Sequence, residues 1–285
     1  MKTKMGEIHM QRTARAPASP ATWALGTSTS LFRELDRDRL RETLESGITH
    51  LEIVIPAADP NPSSRQEVVD ACRELGLTVH SVHLPFNWEW DPSEPDPALR
   101  SQILKKHRAI LEEVAAWGPK TAILHPSYEP IAPDERSRRI KACRESLAVL
   151  GEAAAALGIR LCVECLPRTC LGNTSAEIVT LIDGLDCVSV CCDVNHLVQE
   201  TPQEFIRAVG QRIDAVHISD YDGQDEKHWP PGRGVIDWDA VIAALAEAGF
   251  PGPLMFEVVS RKGEDPVEPR LLSDWWRRKA ASFVR

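Results

Sequence analysis

Glu164, Asp193, His217 and Glu257 each stand at the C-terminal end of a short apolar run, in RLCVEC, VSVCCD, IDAVHIS and PLMFEVV. Such runs between helical stretches read as buried parallel strands, where an ionisable side chain is costly unless it is paired or binds a metal. Four such ends in succession point to one divalent cation. Three carboxylates and one imidazole form an oxygen-rich donor set that suits Mn²⁺ first, with Mg²⁺, Co²⁺ or Zn²⁺ as alternatives. An octahedral ion held this way keeps two positions open for adjacent hydroxyl and carbonyl oxygens of a sugar. Chelation there would acidify the neighbouring C–H, and a carboxylate on either side of that carbon would remove a proton and return it.

The elements that must position these residues alternate along the whole chain. Strand-like segments are TWALGT (22–27), HLEIVIPA (50–57), TVHSVHL (78–84), TAILH (121–125), RLCVEC (160–165), VSVCCD (188–193), DAVHIS (214–219) and PLMFEVV (253–259), each followed by a helical stretch. Eight βα units over residues 21–285 match a single (β/α)₈ TIM barrel, and no glycine-rich phosphate loop follows the first strand as a doubly wound sheet would require. Thr174 and Thr201, the latter followed by Pro202, are helix-start candidates, and glycines 47, 76, 118, 158 and 249 sit where helix ends should be.

The period-2 rule orients the strands. With the four rim residues facing inward, Cys162, Cys191, Ala215 and Met255 form the next interior layer, which is largely apolar. His83 and His125 then end strands three and four above Ser81 and Ile123. His80 has the opposite parity and reads as packing against a helix. His107, on the charged third helix, reads as a surface residue, and Glu52 is left between a rim hydrogen bond and an ion pair. Trp88 and Trp90 in FNWEWDPSEPDP are candidates for a lid over a sugar, and Arg168 for a substrate contact. Because active sites in this fold occupy the C-terminal face, the polar rim reads as functional, with satisfied structural polar residues as the alternative.

Composition bounds the rest. The chain has 285 residues, 43% hydrophobic, and a formal net charge of −9, which gives no broad electrostatic footprint for nucleic acid. No apolar stretch approaches the roughly 18 residues that a membrane span needs. The first 20 residues contain no apolar core of a secretory signal and are expected to be a disordered tail or a cloning remnant. Eight cysteines without such a signal suggest a cytoplasmic protein with reduced thiols. Cys162 and Cys165 have CxxC spacing but opposite strand parity, so they should not chelate together.

The residues VEC-LP (163–167), CDVNH (192–196), VHISD (216–220), HWPPGRGVIDW (228–238) and FEV (256–258) resemble the xylose isomerase-like barrels of the sugar isomerase/epimerase superfamily, over residues 22–275. That superfamily includes ketose 3-epimerases, hydroxypyruvate isomerases and inosose dehydratases. The resemblance implies that Glu164, Asp193, His217 and Glu257 hold the metal, that Glu164 and Glu257 are the acid/base pair, and that His196 contacts substrate oxygen. The chain departs from the ketose 3-epimerases at Gly223, where they carry arginine six residues after the metal histidine. Other members have a histidine and a glycine-rich segment, which His228 and Gly232-Arg233-Gly234 resemble, and Arg233 would supply a bidentate anion contact.

The expected activity is therefore a divalent-metal-dependent isomerase or epimerase acting on a small ketose, inosose or keto-acid, with a related dehydratase kept open. A homo-oligomer is compatible with it. Two other classes compete. An endonuclease IV-like abasic-site nuclease uses three zinc ions, and His83, His125, Glu164, Asp193, His196, His217 and Glu257 resemble its ligands, but the D-x-H pair of its third zinc is missing after strand seven. A non-catalytic metabolite-binding barrel is the other alternative, and metal content would discriminate against it.

Overall fold

The computed structural model of the protein describes residues 15–58 and 62–283. The chain runs through β1 (Leu25–Ser28), α1 (Arg37–Ser46), β2 (His50–Val54), α2 (Pro62–Leu75), β3 (Thr78–His83), α3 (Pro97–Val114), β4 (Thr121–Leu124) and α4 (Arg136–Ala156). It continues through β5 (Arg160–Glu164), α5 (Ser175–Ile182), β6 (Val188–Asp193), α6 (Pro202–Val209), β7 (Ile213–Ile218), α7 (Trp238–Glu247), β8 (Leu254–Phe256) and α8 (Pro269–Ala280). The eight strands form one closed parallel barrel in sequence order. β1 closes it against β8, with Gly26 opposite Met255, and a Cβ on Gly26 would lie 2.7 Å from the Met255 side chain. The (β/α)₈ architecture read from the sequence is the architecture found.

Strand parity separates two apolar layers. Leu51, Ile53, Val82, Ala122, Leu124, Leu161, Val163 and Val190 point outward into the large core shared with the helices. Ile123, Cys162 and Cys191, with Ala215 against them, form a small separate cluster inside the barrel. At roughly 1.5–3 kcal/mol per fully buried aliphatic side chain, the outer layer carries most of the hydrophobic stabilisation. The interior is thereby free to tolerate polar groups. Glu52, Ser81 and Thr121 are buried there, so the inner layer is more polar than the alternation alone predicts.

Local chemistry sets the helix ends. Thr201 and Glu204 form a reciprocal capping box ahead of α6, with Pro202 in its first turn, and Thr174 accepts a hydrogen bond from Glu177 N–H at the start of α5. Gly47 ends α1 in the left-handed region at φ 98°, which a residue with a Cβ would resist.

Several boundaries differ from the sequence reading. Pro20 starts a short 3-10 turn over residues 20–22, so β1 begins at Leu25 rather than at 22. β8 is three residues long: Pro253 before it has no N–H for the ladder, Glu257 N–H makes the last bond to Ile218 O of β7, and Val259 N–H turns away to His228 O. Of the expected tail, residues 1–14 lie outside the described residues, while Arg15 pairs with Asp214 at 3.0 Å and Ala18 N–H bonds Ala246 O at 3.0 Å. His107 is not on the surface. It is fully buried, with Nε2–H donated to Trp90 O at 2.9 Å and the Trp90 ring edge-on at 5.2 Å. Among the described residues no helix is long and apolar enough to cross a membrane.

Candidate metal centre and active site

Four strand ends converge on one point at the barrel's C-terminal mouth. Glu164 ends β5, Asp193 ends β6, His217 lies one residue before the end of β7, and Glu257 follows β8 directly. One ligand atom from each lies within 4.8 Å of the others, and all four residues are buried. His217 Nδ1 is 2.9 Å from Glu164 Oε1 and 3.2 Å from Glu257 Oε2. Asp193 Oδ1 accepts the Asn195 N–H at 2.7 Å, whereas Oδ2 is buried with no hydrogen-bond partner. His196 Nδ1 comes within 3.2 Å of that oxygen, but it is aligned on Cys165 O at 3.0 Å instead. An orphaned buried carboxylate oxygen, facing two more carboxylates and an imidazole, suits a hard divalent cation.

The charges show the same tension. Burial alone would raise the Glu164 carboxyl, but the imidazoles of His217 and His125 outweigh it and hold it well below the usual carboxylate range. Glu257 is likewise held down against burial, chiefly by His217. Burial with the Glu257 and Glu164 charges drives Asp193 well above its ordinary value, against His196. Burial opposes the protonation of His217, yet the surrounding Cys191, Glu257, Glu52 and Glu164 raise it well above its usual value. The carboxylates that would hold a cation also favour a proton on His217.

His83 and His125 both reach Glu164 Oε2, at 3.2 and 3.0 Å. His83 also places Nδ1 3.0 Å from Leu84 O; despite burial, its bond to Glu164 and that residue's charge raise it to about 9, so both nitrogens donate. His125 is lowered by burial. His196 Nε2 meets Glu226 Oε2 at 3.1 Å, and His228 donates Nδ1–H to Glu257 O at 3.1 Å, with its ring edge-on to His196 at 5.5 Å. Asn195 Oδ1 accepts from Lys227 N–H and His228 N–H, tying the β6 and β7 loops together.

Three expected contacts are not brought to this cluster. Trp88 is 71% exposed, and the aromatic that covers the site is Phe86, stacked 4.2 Å from His125 and edge-on to His83 at 5.1 Å. Arg233 lies 4.9 Å over the Trp229 ring and 3.5 Å from Glu264, while the glycine-rich segment beside it is cinched onto buried Asp220, which accepts Gly232 N–H, Ile236 N–H and Trp238 Nε1–H. A Cβ on Gly234 would strike Tyr221 O at 2.0 Å. That segment is therefore a structural turn. Arg168, in the left-handed region at φ 52°, is spent on Glu129, Asp225 and Glu226.

Sequence reasoning missed Phe86 and Glu226, and it left Glu52 unassigned. Glu52 is buried and meets His217 Nε2 from the side opposite the cluster. Its place between outward-facing Leu51 and Ile53 is the signal that puts it inside the barrel.

Comparison with known proteins follows the same line. Residues 40–279 match the model of the family described as xylose isomerase-like TIM barrel. L-ribulose-5-phosphate 3-epimerase UlaE of Salmonella paratyphi C (strain RKS4594) is 25% identical over 261 residues, 87% of this chain and 90% of that protein. An uncharacterized protein of Methanocaldococcus jannaschii is 25% identical over 185 residues, 62% of this chain and 63% of that protein. Among solved structures, L-ribulose 3-epimerase superposes with TM-score 0.77 at 20% identity, covering 92% of this chain and 98% of the other. The 3-keto-D-glucoside 4-epimerase YcjR of E. coli does so with TM-score 0.71 at 24% identity, covering 90% and 99%. The chain belongs to the xylose isomerase-like TIM barrel family.

Proposed function

We propose that the protein is a divalent-cation-dependent sugar isomerase or epimerase that moves a proton on a small ketose, inosose or keto-acid. Glu164, Asp193, His217 and Glu257 would hold the cation, Mn²⁺ first among the candidates. The observation that carries this reading is the convergence of those four side chains within 4.8 Å, with Asp193 Oδ2 buried and unbonded. A bound cation would supply polarisation of a substrate carbonyl, which acidifies the neighbouring C–H.

Glu164 and Glu257 come from strands on different sides of the mouth and flank His217, so they address a substrate carbon from two directions. One, as carboxylate, would take the C–H proton, and the other, carrying a solvent-derived proton of its own, would deliver that proton to the opposite face of the planar enediolate; the stereocentre is inverted, and both carboxyls reset by proton exchange with water. His83 and His125 hold Glu164 Oε2 and thereby set the carboxylate's orientation. Phe86 lays an apolar surface over these imidazoles and keeps water from their face. His228, with Nδ1 donated to Glu257 O, would turn Nε2 toward a substrate oxygen on the Asp193 side, and His196 Nε2 would reach one by exchanging its Glu226 partner for it.

Elemental analysis of wild type and Asp193→Ala, after exchange into chelator-free buffer, tests the ligand set. One equivalent of cation in wild type and its loss in the variant is expected; equal content in both refutes the assignment. Three zinc ions lost together in His83→Ala would replace it with the nuclease reading. Screening ketoses, inososes and keto-acids with Mn²⁺ in D₂O tests the reaction. Label is expected at the reacting carbon, and extensive conversion without label refutes the proton-transfer path.

A further inference from the structure

We infer that Glu52 is a positioning residue whose carboxylate, behind His217 in the barrel interior, keeps the proton on Nε2 so that the Nδ1 lone pair faces the cation. The inference rests on the ligand set proposed above and adds a residue to it that touches neither cation nor substrate.

The geometry is specific. His217 Nε2 faces both Glu52 oxygens, 3.2 Å from Oε2 in hydrogen-bonding alignment and 3.1 Å from Oε1 off axis. Ser81 Oγ donates to Glu52 Oε2 at 2.7 Å and fixes the carboxylate's rotation. Glu52 is 1% exposed, and its polar side-chain partners among the described residues are Ser81 and His217. A buried carboxylate with no Lys or Arg partner among the described residues, aimed at the far nitrogen of a ligand imidazole, has a clear use in this position.

Neutral imidazole carries one proton, and the nitrogen that keeps it cannot ligate. On the cation side, Glu164 at 2.9 Å and Glu257 at 3.2 Å both draw that proton toward Nδ1. Without an acceptor behind the ring, the non-ligating tautomer would win. Glu52 supplies the opposing acceptor, and partial negative charge at Nε2 also makes Nδ1 a better donor to a cation. The two strands are built for this: Glu52 pairs with Ser81 across the β2–β3 register, directly after the irregularity at Leu51/Glu52.

The test uses the full chain, stripped with chelator and titrated calorimetrically with Mn²⁺, as wild type, Glu52→Gln and Ser81→Ala, with melting curves of the cation-free forms measured separately. Removing such a partner typically weakens metal binding about 10–100-fold. Glu52→Gln is expected in that range at unchanged stoichiometry, and Ser81→Ala at a smaller loss. Zinc-loaded wild type, with ¹⁵N-labelled histidine, should show His217 protonated at Nε2. Variants that bind within threefold of wild type, whatever their melting temperature, overturn the inference, as does a wild-type His217 protonated at Nδ1. If Glu52→Gln does not fold, the wild-type spectrum and Ser81→Ala still decide. Wild type that takes up no cation overturns the functional reading and this inference together; cation binding that survives both substitutions overturns this inference alone.

Discussion

Glu257 has two duties that a single substitution separates. As a ligand it needs an oxygen lone pair, and as a base it needs a carboxylate. Glu257→Gln keeps the first and removes the second. The expected outcome is retained cation with turnover reduced by at least about 10²-fold, read by elemental analysis beside steady-state rates and deuterium incorporation. Turnover within tenfold of wild type would remove Glu257 from the acid/base pair. The placement of the site residues was legible in sequence where parity and apolar context agreed: a charged residue ending RLCVE or VSVCCD must face the barrel mouth, where Glu164 and Asp193 meet His217 and Glu257. His107 was misread because α3 is charged all round its sequence neighbourhood, and only the fold shows that the loop carrying Trp90 returns to cover it. Phe86 and Trp88 are two residues apart in one loop, and sequence alone does not say which turns toward His125.

At the level of elements, three loops over the mouth meet on one side chain. Arg168 binds Glu129 from the β4 loop at 2.7 Å, and Asp225 and Glu226 from the β7 loop at 2.5 and 3.0 Å; Glu226 in turn meets His196. These pairs are partly exposed, and exposed ion pairs contribute only about 0.2–1 kcal/mol each, so their effect should fall on loop order more than on global stability. Arg168→Ala is expected to shift the melting temperature little and to accelerate amide exchange across residues 168–173 and 222–228. It should also raise KM more than it lowers kcat, because the β7 loop carries His228. Unchanged exchange in both loops would show that the clamp does not order them. The strands themselves were legible to within a few residues. The loops were not, since Asp220, Arg168 and Asn195 act through partners distant in sequence.

The molecule as a whole carries buried histidines of opposite sense, and they give stability a pH dependence on both sides of neutrality. Burial lowers His107 to about 4 from 6.5. Nδ1 is buried without a partner, so protonation would place an unbonded N–H in the core. The unfolded chain binds that proton at higher pH than the native state does, so the contribution is complete above about 6.5 and is lost as pH falls toward 4. Between pH 7 and 5 the loss from this one group is about 2 kcal/mol. His80 is also lowered to about 4, first by burial, and adds to the same limb. His83 runs the other way: raised to about 9, its contribution is complete below the unfolded value and is lost as pH rises through 9 in the cation-free protein. Urea denaturation of cation-free wild type and His107→Gln at pH 7 and pH 5 checks the acid limb. The variant should be less stable at pH 7, since it gives up a buried hydrogen bond and ring packing, yet lose less on going to pH 5. Equal losses in both proteins would show that His107 does not supply the acid limb, and would shift that role to His80 and the mouth of the barrel.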